Sequence, residues 1–356
     1  MPEEKQISLK TLLSSHTHIG ELCKDTGDGR IECYACGHRC KIGEGKDGIC
    51  KIRFNRGGKL YIPWGYVSSL ALDPIEKKPF FHALPGSKAL SFGMLGCDYH
   101  CSFCQNWITS QTLRDPHSVS AIEVISAEDI VLTAHRHNAQ IVTSTYNEPL
   151  ITSEWAMEVF KIAKRYKLVT SYVSNGNGTP EVVGYLRPWL DLFKIDLKGF
   201  NDKRYRELGG VLQNVLDTIK LAYEKKFWVE IVTLIVPDFN DSEDELKEIA
   251  KFIFSVSPDI PWHVTAFHSD YKMEDIRSTP VQTLLKAVEI GYNAGLHYVY
   301  AGNIPGSVKN YENTYCHSCG ELLIERWGFK ILMNRLSGEN CPKCTSKIPG
   351  FWRLPN

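Results

Sequence analysis

The sequence predicts an α/β protein: a partial (β/α)6 TIM-like barrel with small Cys-rich metal-binding segments at its N- and C-terminal ends. Three observations carry that expectation. Apolar strand-like runs alternate with amphipathic helical stretches from residue 89 to about 301. Polar residues gather just after each run, and eleven of the twelve cysteines fall into three sets. Strand and helix units at regular spacing mean parallel strands joined by right-handed crossovers. Six such units suit a full or partial barrel, whose active site lies at the C-terminal ends of the strands.

Composition narrows the class. The 356 residues are enough for one large α/β domain with small appendages. Formal net charge is zero, so no field argues for nucleic acid or an anionic membrane as main partner. No apolar run approaches the ~20 residues that span a bilayer. Met1-Pro2-Glu3-Glu4-Lys5 has neither the basic nor the apolar region of a signal peptide. Without one, twelve cysteines argue for metal ligation rather than disulfides, and a cytoplasmic location is expected.

Taken in order, residues 1–57 form a polar, glycine-rich, Cys-rich metal-binding segment. Cys33, Cys36, Cys40 and Cys50 offer four thiolates, and Gly37, Gly43, Gly45 and Gly48 let the backbone fold tightly around an ion. So small a segment, poor in large apolar residues, needs such a staple. Zinc and an auxiliary iron–sulfur cluster both satisfy the set, and zinc is the preferred reading. His38 is a spare candidate ligand, weighed against a solvated imidazole, and Cys23 reads as an ordinary thiol.

Residues 58–88 connect this segment to the barrel through strand-like pieces at 59–62 and 67–72. Pro74 and Pro79 then exclude a central strand or helix interior. The stretch is either a loop folded over a site or a surface connection.

The core spans 89–310. Strands are expected at 89–95, 140–145, 168–173, 192–197, 228–236 and 263–267, with a candidate seventh at 297–300. Helices begin at Ser126 and Ser242, each with an acidic residue three positions on that suits a capping box. Another covers 153–166, and Pro180 sits where a first helical turn tolerates it. After the first strand come Cys97, Cys101 and Cys104 in C-x3-C-x2-C spacing. Three thiolates on one loop hold three corners of a cubane cluster, and no fourth Cys follows until Cys316. One iron is left for a non-protein ligand.

Polar residues follow the later strands in turn: Tyr146, Asn147 and Glu148; Ser174 and Asn175; Asp196 and Lys198; Asp238 and Asn240; His268. Singly, each reads equally well as a turn or a cap. Gathered on one rim with three thiolates, they read as a site. The last segment, 311–356, holds Cys316-x2-Cys319 and Cys341-x2-Cys344, two knuckles of a zinc-ribbon or rubredoxin-like metal site. Its mixed charge favours a structural or docking role over nucleic-acid binding.

The Cys97/Cys101/Cys104 loop, with Phe103 before the last Cys, resembles the signature of the radical S-adenosylmethionine (SAM) superfamily. Three stretches resemble one subgroup, the AmmeMemoRadiSam-system radical SAM enzyme, related to pyruvate formate-lyase activating enzymes. They are Gly96 through Trp107, Asp73-Pro74-Ile75-Glu76-Lys77-Lys78-Pro79, and Gly302-Asn303-Ile304-Pro305-Gly306. The resemblance implies a radical SAM barrel, a 4Fe–4S cluster on Cys97, Cys101 and Cys104, and SAM chelating the open iron. It implies contacts to the cofactor from Phe103, Gln105, Asn147, Glu148, Ser174, Asn175, Asp196, Lys198 and His268. The superfamily's Gly-Gly-Glu element is matched closely only by Glu148, since Tyr146 and Asn147 replace the glycines.

It further implies a radical SAM oxidoreductase, activating-enzyme-like, which abstracts hydrogen from an unidentified substrate, a partner protein among the candidates. The electron donor would be a low-potential ferredoxin or flavodoxin. The competing reading is a non-catalytic iron–sulfur and zinc protein for electron transfer or docking.

Overall fold

The computed structural model describes residues 9–354. The expectation about Met1 to Lys5 lies outside them. Seven parallel strands form the centre: β1 Lys88–Gly93, β2 Ile141–Ser144, β3 Val169–Ser174, β4 Leu192–Asp196, β5 Trp228–Ile235, β6 Trp262–Ala266 and β7 Val299–Gly302. They pair in chain order, with β2 between β1 and β3 and β7 on the far edge. An antiparallel strand, Ser69–Pro74, adds to β1 on the other edge. The barrel is therefore open, with six β/α units and a seventh strand. The seventh begins two residues later than expected. The piece at 67–72 divides into Tyr66–Val67 and Ser69–Pro74, and Pro74 ends an edge strand, where a missing N–H costs no ladder bond.

Crossover helices cover the outside: α1 Ala127–Arg136, α2 Ser153–Arg165, α3 Pro180–Leu186, α4 Leu212–Glu224, α5 Glu243–Val256 and α6 Val281–Asn293. Strands such as β2 are buried along their whole length, as parallel strands covered on both faces must be. On α2, Trp155, Ala156, Val159, Phe160 and Ala163 recur at helical spacing and pack on the sheet. Ser126 caps α1, its Oγ accepting from Asp129 N at 3.0 Å. Ser242 caps α5 in the same way, but the Glu245 carboxylate turns away and accepts from Phe200 N instead of closing a capping box.

Two appendages are keyed to the barrel by buried polar groups. Arg53 of the N-terminal segment makes a two-pronged ion pair with Glu154 on α2, at 2.7 Å on each prong. Glu154 also accepts from Glu21 N and Leu22 N. At the other end, Glu230 on β5 is fully buried and accepts from Phe81 N, His82 N, Trp228 Nε1 and His263 Nε2, at 2.7–2.9 Å. His82 continues this network to Tyr300 and to the carbonyl of Pro349 in the C-terminal segment. Thr314 meets the same Tyr300 hydroxyl at 2.8 Å. The C-terminal segment thus contacts both β7 and the loop that follows the antiparallel edge strand.

No helix among the described residues is long and apolar enough to cross a membrane.

Candidate active site and metal centre

The Cys loop leaves β1 through Gly93 and Gly96. A Cβ at Gly93 would stand 2.5 Å from Thr145 O, so only glycine lets β1 run this close to the end of β2. Gly96 has φ of +89° and lies against Cys50 O and Ile52, which brings the N-terminal segment onto the loop. Tyr99 N and the Asp98 carboxylate both approach Cys97 Sγ. Cys104 Sγ meets Ser110 Oγ at 3.2 Å. Burial pushes all three thiols up, Cys101 to about 12, so without metal they stay protonated and ligation must release protons.

A cavity of about 100 Å³ joins Cys97, Cys101 and Cys104 to Asn147, Glu148, Ser174, Asn175, Asp196 and Lys198. An adjoining chamber of about 390 Å³ is lined by Cys101, Phe103, Cys104, Gln105, Asp196 and Lys198, with Lys77, Lys78 and Lys194. Together the two cavities gather eight of the nine non-cysteine candidates. The stretch after Pro74 is thus a loop over the site.

His268 is placed elsewhere. It is exposed, its Nδ1 turned to Ser269 O at 3.4 Å. The chain after β6 runs on to the Cys loop, where Lys272 N donates to Ser102 O at 3.1 Å. His268 is not among the residues that line the two cavities.

Glu148 is the electrostatic centre of the smaller cavity. It is buried, and its carboxylate accepts from Ser174 Oγ at 2.6 Å, Asn175 N at 2.7 Å and Leu150 N at 3.0 Å. Burial, then the charge of Asp98, pushes its pKa up to about 8 despite those donors. The nearby cation Lys194 feels the Glu148 charge but spends its own hydrogen bond on Asp196. A buried carboxylate with ordered donors and no ion pair of its own fits an incoming ammonium group. Two residues past the end of β4, Lys198 donates to the second Asp196 oxygen at 3.2 Å. Burial opposes the charge on Lys198, but Asp196 outweighs it and holds Lys198 protonated. The cavity thus offers a carboxyl group that an arriving cation would ionise and a charged amine, the complement of an amino-acid zwitterion.

Tyr146 takes the place of a glycine and shows why glycine suits it: its φ is +72°. The strained residue is held by its ring, which lies 4.5 Å under Lys78 Nζ, and by its hydroxyl, which accepts from Lys78 at 3.1 Å. Asp98, Lys78 and Lys194 border the site, and the sequence reading did not place them among the candidates. Lys194 had a signal, since it lies two residues before Asp196 on the same strand face.

The two terminal cysteine sets differ. Cys316 Sγ lies 3.5 Å from Cys344 Sγ, and Cys319 Sγ lies 3.7 Å from Cys341 Sγ. These four sulfurs all fall within 4.8 Å of one another. Thiolates at ~2.3 Å from one tetrahedral ion stand about 3.8 Å apart, so the set fits a single metal ion. Ser346 draws the Cys344 thiol down, while the Cys316 and Cys319 thiols are raised.

Among the described residues it is the one group of three or more candidate ligands drawn so close. Cys33, Cys36, Cys40 and Cys50 are not gathered to that spacing, though the charge of Cys33 reaches Cys36, Cys40 and Cys50. Cys33 is held on a strand opposite Cys23, while Cys36 and Cys50 pack with Ile52 and Ile151. His38 turns its Nε2 to Asp98 O at 3.2 Å and so braces the main loop.

The profile of the radical SAM superfamily matches residues 93–253, the stretch that carries the Cys loop and Glu148. The chain belongs to the radical SAM superfamily. An uncharacterized protein of Methanocaldococcus jannaschii, MJ0808, is 38% identical over 325 residues, covering 90% of this chain and 96% of its own length. A pyruvate formate-lyase-activating enzyme of Staphylococcus aureus is 22% identical over 212 residues, 54% of this chain and 84% of that protein. Among solved structures, Streptococcus suis SuiB bound to S-adenosylmethionine superposes with a TM-score of 0.50 at 14% identity, over 68% of this chain and 56% of that one. That likeness is one of fold.

Proposed function

We propose that this radical SAM protein holds a 4Fe–4S cluster on Cys97, Cys101 and Cys104 and cleaves SAM reductively to abstract hydrogen from a substrate in the larger cavity. The observation that carries the reading is the juxtaposition, in one small cavity, of three thiols with the buried Glu148 carboxylate. Held by Cys97, Cys101 and Cys104, such a cluster would supply the low-potential electron for reductive cleavage of the sulfonium.

The chain's own residues do the rest. Glu148, fixed by Ser174 and the Asn175 N–H, accepts from the methionine ammonium group, and Lys198 answers the carboxylate. Asn147 is itself set by a 3.0 Å hydrogen bond from Met94 N to its Oδ1. Phe103, wedged against Phe239, and Gln105 face the adenosine portion. Fixing both ends of the cofactor orients the reacting bond. Apolar Val232 and Leu234 on the chamber wall limit water around the radical.

The similarity to a pyruvate formate-lyase-activating enzyme supports activating-enzyme-like oxidoreductase chemistry with a partner protein as substrate, and a ferredoxin or flavodoxin as reductant. The subgroup assignment to AmmeMemoRadiSam-system enzymes rests on the three sequence stretches named above. For the C-terminal thiolates we assign zinc or iron. The test is anaerobic reconstitution with iron and sulfide, then dithionite and SAM. 5′-Deoxyadenosine should form, and a Cys97→Ala/Cys101→Ala/Cys104→Ala variant should form none. Equal, background yields from both proteins would overturn the proposal and favour a non-catalytic role.

A further inference from the structure

The C-terminal metal segment ends one wall of the larger cavity. Its strands Leu322–Trp327 and Lys330–Asn334 form a hairpin between the two cysteine knuckles, with Gly328 and Phe329 as the two turn residues. Gly328 has φ of +58°, as the first residue of such a turn requires. The next residue, Phe329, lines the chamber that also holds Cys101, Cys104 and the loop of Lys77, Lys78 and Pro79. The Phe329 ring is 43% exposed while it lines this chamber.

The hairpin tip is held where it is by specific bonds. Glu312 is buried, and its carboxylate bridges two backbones: Oε1 accepts from Gly328 N at 3.0 Å and Oε2 from Gly306 N at 3.2 Å. Gly306 belongs to the loop after β7 whose Asn303 also lines the chamber. The register shift at Glu325/Arg326 re-aims Arg326, whose Nη2 donates to Phe81 O at 2.8 Å. The guanidinium lies 4.4 Å over the Phe81 ring. Glu312 and Arg326 therefore tie the hairpin to the β7 loop and to the stretch that follows Lys77 and Lys78.

We propose that the C-terminal metal segment is a working part of the reaction chamber. Phe329 closes its mouth and frames the substrate entrance against Lys77 and Lys78, and Glu312 is the positioning residue that holds it there. This rests on the reaction proposed above for its purpose, but not for its test.

The experiment is iodoacetamide alkylation of the full chain before iron reconstitution, followed peptide by peptide by mass spectrometry. Thiol reactivity tracks access, so Phe329→Ala should raise alkylation of Cys101 and Cys104 about fivefold, with Cys23 as an unchanged internal reference. Phe329→Leu should return the rates towards wild type. Glu312→Gln, which puts an amide N–H against one of the two backbone donors, should raise them about twofold. Wild-type rates in Phe329→Ala overturn the proposal, and wild-type rates in Glu312→Gln overturn the latch. Failure to detect 5′-deoxyadenosine would sink the reaction and leave the thiol result standing.

Discussion

The side-chain amide of Asn175 donates a 2.8 Å hydrogen bond to the Asp98 carboxylate, joining the end of β3 to the middle of the Cys loop. Asn177 bonds the other oxygen at 2.7 Å, and His38 meets the Asp98 carbonyl. Three segments distant in sequence are thus fastened at the residue next to Cys97.

Asp98→Ala should loosen that loop. It leaves two buried amides without an acceptor, a cost of about 1–3 kcal/mol for each. Iron bound per chain after reconstitution should fall well below wild type, while metal at Cys316, Cys319, Cys341 and Cys344 is retained. Full iron loading would show that the tether is dispensable.

Glu148 should leave a signature in the pH dependence of the metal-free chain. Its folded pKa is raised from 4.5 to about 8, so the native state keeps a proton that the unfolded state releases. Stability should therefore decline as pH rises from about 4.5 towards 8, and Glu148→Gln should lack that decline. Urea unfolding of both proteins at intervals across this window measures it. Parallel curves would contradict the assignment. Once loaded, Glu148→Gln should also bind SAM about tenfold more weakly, a loss of ~1.4 kcal/mol.

Arg53 and Glu154 test how the N-terminal segment is anchored. Both are almost wholly buried and paired at 2.7 Å. Arg53→Leu strands a buried carboxylate and should cost about 3–5 kcal/mol in urea unfolding. Arg53→Leu/Glu154→Leu should recover most of it, because the desolvated charge is gone. A double variant as unstable as the single one would place the loss in packing.

Metal content separates the main loop from the C-terminal set. The Cys97→Ala/Cys101→Ala/Cys104→Ala variant should keep one metal ion at the C-terminal thiolates, and adding Cys344→Ser should remove it. A triple variant without metal would mean that the sites load together.

The strands, their order and the radical SAM loop were legible in the sequence for physical reasons. Parallel strands covered on both faces must be apolar throughout, so β1 to β6 stand out as runs. The candidate groups of such a barrel must follow those runs, which exposed Glu148, Ser174, Asn175, Asp196 and Lys198. Residues whose roles depend on what packs beside them were not legible. Asp98 looks like a turn residue until Asn175 and Asn177 meet it, and His268 follows its strand like the others yet is exposed and lines neither cavity.

The cysteines draw the same line. Spacing alone identified the sets and distinguished the three-thiol loop from the two four-thiol segments, because ligand spacing is a local property. Only the tertiary structure decided that Cys316, Cys319, Cys341 and Cys344 close to single-ion distances while Cys33, Cys36, Cys40 and Cys50 do not. It also decided that Phe329, more than 200 residues from Cys104, stands at the same chamber. Contacts of that range are set by buried groups such as Glu230, Glu312 and Arg326, whose partners no local pattern reveals.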